Sequence, residues 1–80
     1  MTTVELFSVP GCDSCGPVRA ALRRLAADFP QLTVTEIDVT EHPEVALRHR
    51  LMACPAVAVD GRVQFVGGVD ERRLRAMVQC

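Results

Sequence analysis

The chain has 80 residues, 49% of them hydrophobic, and a formal net charge of −1. That suffices for one core, although a chain this small buries only about 60% of its unfolded surface. The charge balance gives no reason to expect a nucleic-acid or anionic-membrane partner, and no apolar run approaches the roughly 20 residues that cross a bilayer.

Thr3–Ser8 reads as a strand, with Val4 and Leu6 facing one way and Phe7 the other. The turn Val9-Pro10-Gly11 leads into Cys12-Asp13-Ser14-Cys15. Val18, Ala21, Leu22, Leu25, Ala26 and Phe29 then recur at the spacing of one helix face, with Arg19, Arg23 and Arg24 away from it. Pro17 fits the first turn, where a missing N–H costs little, and Pro30 marks the end. Leu32–Val39 is a second strand whose alternation slips. Leu32 and Val34 share one parity and Ile37 and Val39 the other, as an edge strand or a bulge would produce.

Glu44–Leu51 is a short helix opened by Thr40 or His42, with Pro43 in its first turn. Ala56-Val57-Ala58-Val59 is a continuous apolar run, as in a strand buried on both faces. Asp60-Gly61 is a hairpin signal, and Arg62–Val66 returns with Val63 and Phe65 inward. Gly67-Gly68 breaks that strand. Asp70 can cap a last helix whose apolar face is Leu74, Met77 and Val78. The order β-α-β-α-β-β-α, in one domain over residues 1–80, predicts an α/β fold with a mixed four-stranded sheet flanked by helices. A right-handed crossover makes the first two strands parallel, and the last two form an antiparallel hairpin.

Met1-Thr2-Thr3 lacks the basic and apolar regions of a secretory signal, so the expected location is the cytoplasm. Four cysteines in a reducing compartment argue for redox or metal chemistry rather than disulfide staples. Every basic side chain other than His is Arg, which reads as compositional bias, with the charges on solvated helix faces.

Two cysteines at i and i+3 in the first turn of a helix can reach the roughly 5.5 Å Cα separation of a disulfide. Unpaired N–H groups and the helix dipole at that end favour an anion, so Cys12 should ionise below the free thiol value of about 8.5. Cys15, one turn in and more buried, should stay a thiol until needed. Cys12 would attack a substrate disulfide, and Cys15 would then attack the Cys12 sulfur and release the reduced substrate. Asp13, a negative charge beside Cys12, opposes ionisation and leans the pair towards reductase duty. A potential as oxidising as about −120 mV would contradict that. A metal-binding module is the alternative of another class. Zinc needs four ligands and no second C-x-x-C or C-x-x-H is present, leaving Cys54, Cys80, His42 and His49 as candidates. No metal site is assigned, and both His residues fit a solvent-facing helix.

Strand–C-x-x-C–helix, a proline about 40 residues on that opens an apolar strand (Cys54-Pro55-Ala56-Val57), and a hairpin ending in Gly67-Gly68 resemble the thioredoxin/glutaredoxin superfamily in its smallest form. The resemblance covers essentially the whole chain. It implies a dithiol–disulfide oxidoreductase with Cys12 as nucleophile, Cys15 as resolving thiol, and Pro55 as a cis-proline beside the site. Cys54, before that proline, would offer backbone groups to an extended substrate segment. Gly67, Gly68 and Asp70 resemble the glutaredoxin segment that helps hold glutathione. Turn glycines and a helix cap explain them equally.

Thioredoxins usually carry Trp before the first Cys, Gly-Pro between the pair, and a buried acid six residues before it. This chain has Gly11, Asp13-Ser14 and Leu6 there. Its compact length favours the glutaredoxin-like group, which includes small redoxins served by thioredoxin reductase. The implied partners are disulfide-containing proteins and a reductase, either thioredoxin reductase or the glutathione system. No tightly bound cofactor is expected, with glutathione as a co-substrate in the alternative, and the chain is expected to be a monomer. Cys54 stands where the family has Thr, Val or Ile. It reads as a tolerated small side chain or as a third active-site thiol facing Cys12 and Cys15. Such a thiol could pair with Cys12 or complete a three-thiolate site for a soft metal. Cys80 is read as incidental, with intermolecular pairing as the alternative.

Overall fold

The computed structural model describes residues 2–79. In chain order the elements are β1 (Thr3–Ser8), α1 (Cys15–Asp28), β2 (Thr33–Asp38), α2 (Pro43–His49), β3 (Ala56–Val59), β4 (Arg62–Val66) and α3 (Glu71–Val78). The strands form one mixed sheet in the order β2-β1-β3-β4. β1 runs parallel to β2 and antiparallel to β3, and β4 is antiparallel to β3. Among the described residues no helix is long and apolar enough to cross a membrane.

The period of two in β1 sends its side chains to two separate cores. Val4 and Leu6 join Val57 and Val59 of β3, Phe65 of β4, Val18, Leu22 and Leu25 of α1, and Leu74 and Val78 of α3. Phe7 goes to the other face with Ala56 and Ala58, covered by Val45 and Leu51 of the α2 region. Two helices thus cover one face and a short one the other. β3, central and covered on both sides, is buried at all four positions, as its continuous apolar run predicts.

The slipped alternation of β2 has its explanation in position, not in a bulge. Its register with β1 is unbroken from Thr3↔Thr33 to Ser8↔Asp38. It is an edge strand, and Val34 packs on the α1 face while Ile37 packs on the α2 face. The bulge lies in the hairpin instead. Val57 pairs with Phe65 but Ala58 pairs with Val63, so Gln64 is the extra residue. The inserted residue reverses parity, and the expectation that Val63 and Phe65 share a face is wrong. Phe65 joins the α1/α3 core, whereas Val63 packs with Phe7 and Ala58.

The hairpin turns through Asp60 (φ 50°) and Gly61 (φ 85°), and two positive φ angles are what a tight primed turn requires. Asp60 also joins the sheet to the start of β1, where its Oδ1 accepts from Thr3 N at 2.9 Å and its own N–H donates to Thr3 O at 2.8 Å. α3 begins as expected, with Asp70 Oδ1 accepting from Arg72 N and Arg73 N at 3.1 and 3.2 Å. Arg24 and Arg75 tie α1 to α3 through Glu71 and Asp28 at 2.8 and 2.7 Å. α2 ends earlier than its apolar pattern suggests, because Arg50 turns left-handed (φ 53°). His49, at its last position, is half-buried with its ring 5.0 Å from that of Phe7, not solvent-facing.

Candidate active site

All the chemistry-bearing residues singled out in the sequence and described in the structure, His42 and His49 apart, lie beyond one end of the sheet. β1 delivers the Val9–Cys12 loop there, and β3 starts there. Phe7 pairs with Ala56, so Pro55 sits level with the exit of β1. Cys12 and Cys15 form a disulfide with Cα atoms 5.4 Å apart. Helix α1 starts at Cys15, with Ser14 as N-cap, so Cys12 precedes the helix instead of occupying its first turn. Two backbone bonds fold the loop back: Cys12 N donates to Val9 O and Cys15 N to Cys12 O, both at 3.3 Å. Cys15, the first residue of α1, is 1% exposed, while Cys12 is half-buried. The two residues of one disulfide therefore differ in burial.

The Cys54–Pro55 bond is cis, as expected. Pro55 is fully buried and Cys54 half-buried. Burial pushes the Cys54 thiol pKa above its ordinary value. Pro55 O accepts from Gly67 N at 2.7 Å, which brings the turn after β4 against the proline. Gly67 holds φ 84°, a conformation that glycine adopts without penalty. Gly67 and Gly68 in turn line a groove with Ser14 and Pro17 of the cysteine loop and α1. Asp70 stands at the same turn, its carboxylate taken up by the α3 N–H groups. Among the described residues no three His, Cys, Asp or Glu side chains converge to hold a metal ion. Cys80 lies outside the described residues.

On the other side of the loop, Cys12 and Asp13 line a cavity of about 340 Å³ with Ser8, Arg19, Glu36 and Asp38. Glu36 Oε2 accepts from Ser8 Oγ at 2.9 Å, and Arg19 donates to both Glu36 oxygens at 2.6 and 2.7 Å. The Arg19 guanidinium, and secondarily the Ser8 hydroxyl, hold the Glu36 carboxyl below its ordinary pKa against some desolvation. Asp38 is held low by the side-chain and backbone donors of Thr40. The residue reading missed Ser8, Arg19 and Glu36, although a signal was present. Ser8 shares the inward parity of Val4 and Leu6, and Glu36 that of Val34, so both are polar groups on the core-facing side of their strands.

A thioredoxin-domain family model matches residues 2–79. The chain is 31% identical over 72 residues to a thioredoxin of Methanocaldococcus jannaschii, covering 89% of this chain and 85% of that protein. It is 31% identical over 75 residues to a probable thioredoxin of Methanothermobacter thermautotrophicus, covering 92% and 88%. The oxidised form of mitochondrial thioredoxin 3 from Saccharomyces cerevisiae superposes with a TM-score of 0.79 at 22% identity. That match covers 98% of this chain and 76% of the yeast one.

Proposed function

Because the chain belongs to the thioredoxin-domain family and is a dithiol–disulfide oxidoreductase, we propose that it reduces protein disulfides with Cys12 as the attacking thiolate and Cys15 as the resolving thiol. The observation behind this reading is the unequal burial of the two cysteines, Cys12 half-buried and Cys15 1% exposed. A macromolecular disulfide can reach only the first.

Reduction of the Cys12–Cys15 bond takes two electrons and a proton and leaves a Cys12 thiolate and a Cys15 thiol. Cys12 attacks one sulfur of the substrate disulfide, and the other leaves as a thiolate. Cys15 then loses its proton, attacks Cys12, restores the internal disulfide and expels the second substrate thiolate. Both electrons travel through sulfur, so the cycle needs no tightly bound cofactor.

A reductase must then supply electrons. We assign that role to a thioredoxin reductase rather than to glutathione. The relatives named above are thioredoxins, and the Asp70 carboxylate of the glutaredoxin-like segment is engaged in capping α3. The chain would work as a monomer in the cytoplasm, where thiols are kept reduced.

Insulin reduction driven by dithiothreitol, with single Ser variants, tests the roles. Cys12→Ser should abolish turnover to background. Cys15→Ser should stall as a covalent mixed disulfide through Cys12, visible by intact mass. Trapping through Cys54 instead would reject the assignment. Recovery of oxidised protein by NADPH with glutathione and its reductase, but not with thioredoxin reductase, would reject the donor.

A further inference from the structure

The cavity beside Cys12 holds a built ion pair that the disulfide exchange itself does not use. Arg19, from the second turn of α1, is clamped by both oxygens of Glu36, and Glu36 is anchored in turn by Ser8, which is 5% exposed. Four charged groups line the cavity with Cys12, and Arg23 acts on Glu36 from the next position along α1 that faces it. Asp13 comes from the loop itself, Glu36 and Asp38 from β2, and Arg19 from α1. Across the groove on the Ser14 side, Arg24 and Glu71 neutralise one another, and the 50–55 segment carries the exposed Arg50 and the Cys54 thiol. Arg19, already engaged by Glu36, is the cation lining the Cys12 cavity, and Asp13, Glu36 and Asp38 are its carboxylates.

We propose that Arg19 and Glu36 are positioning residues that set, by opposed charges held at fixed places, how readily Cys12 ionises. This rests on Cys12 being the attacking thiolate. The Arg19 guanidinium attracts the thiolate formed when the disulfide is reduced, and the Glu36 carboxylate repels it. Their mutual clamp, with Ser8 as its buried post, holds Arg19 at the rim of the cavity, its side chain 39% exposed. Leu6, six residues before Cys12, is buried. Its register partner on β2 is Glu36. Glu36 thus lies one strand out from the strand that leads to Cys12, with Arg19 as its counter-ion.

The two residues make opposite predictions although they share one ion pair. Loss of Arg19 leaves three carboxylates facing the thiolate. Loss of Glu36 frees Arg19 and removes a repulsion. A merely structural pair would give the same change from either side.

The test is the pH dependence of iodoacetamide alkylation of the reduced full chain, with the modified thiol identified by peptide mass. Arg19→Gln should lower the Cys12 acid dissociation constant and Glu36→Gln should raise it. Each change should be roughly two- to fivefold, the scale of one unit charge acting through partly solvated surroundings. Arg19→Lys should recover most of the parent value. Both shifts should shrink in about 1 M salt, where screening acts within roughly 3 Å. Shifts of one sign in both variants, or no shift, would overturn the proposal. Thermal melting separates loss of the fold, since removing either partner lowers the melting point alike. If Cys12 is not the fast-alkylated thiol of the parent, the attacking role fails instead, and mass mapping shows which has happened.

Discussion

Cys54 illustrates how position settles what a side chain can do. It stands next to Pro55, half-buried, with burial raising its thiol pKa above the ordinary value. At neutral pH it is therefore a thiol and a poor nucleophile, since the thiolate is the reactive form. In the reduced protein Cys54 should be alkylated at least about tenfold more slowly than Cys12 at pH 7. Cys54→Ser should leave insulin reduction within about twofold of the parent, whereas comparable alkylation rates or a collapse in turnover would make it a working third thiol. The cysteine pair and the proline could be read from type and spacing, because a thiol couple between strand and helix is chemically distinctive. Arg19, Glu36 and Ser8 were harder to see. An Arg on a helix and a Glu in a strand are ordinary surface residues until a register places them beside Cys12, and that register spans 17 residues between Arg19 and Glu36.

At the scale of elements, strand limits followed from apolar runs and turn residues, and β1, β3 and β4 begin and end where the sequence suggests. Facing was legible only where pairing is regular. The bulge at Gln64 shows why: one inserted residue inverts every side chain beyond it, and neither Val63 nor Phe65 announces it. The two now belong to different cores and should respond differently to truncation. Phe65→Ala removes an 8%-exposed ring packed with Leu74 and Val78 and should cost about 3–5 kcal/mol. Val63→Ala, at a half-buried site over Phe7, should cost only about 1 kcal/mol. Urea denaturation measures both, and equal losses would contradict the split between faces. The start of α1 was misjudged for a related reason. Cys12 and Cys15 have helical spacing, but Gly11 at φ 76° and the bonds from Cys12 N and Cys15 N build a turn before the helix proper.

For the molecule as a whole, stability should be bounded by pH on both sides. Glu36, Glu71 and Asp38 have folded-state pKa values depressed by Arg19, by Arg24 and by the Thr40 donors, respectively. Their contribution is complete above the ordinary carboxyl values of 4.5 and 3.8 and is lost as pH falls through the lower folded values. Cys54 works in the opposite direction. Its raised value favours the folded state below the ordinary 9.0, and that advantage is lost as pH rises from there through the folded value. The melting temperature should be flat between about pH 5 and 9 and fall on either side. Glu36→Gln should soften the acid limb, and an unchanged acid limb would show that the carboxyl is not linked to folding. β1 begins and β3 ends at the far end of the sheet. Thr2 and Val78 line a single cavity there, close to the clamp between Thr3 and Asp60 and a strand's length from Cys12. A surface or tag attached at Thr2 or Val78 would hang from the pole away from the sulfur chemistry. The protein could therefore be labelled or immobilised at either residue without shading its reactive face.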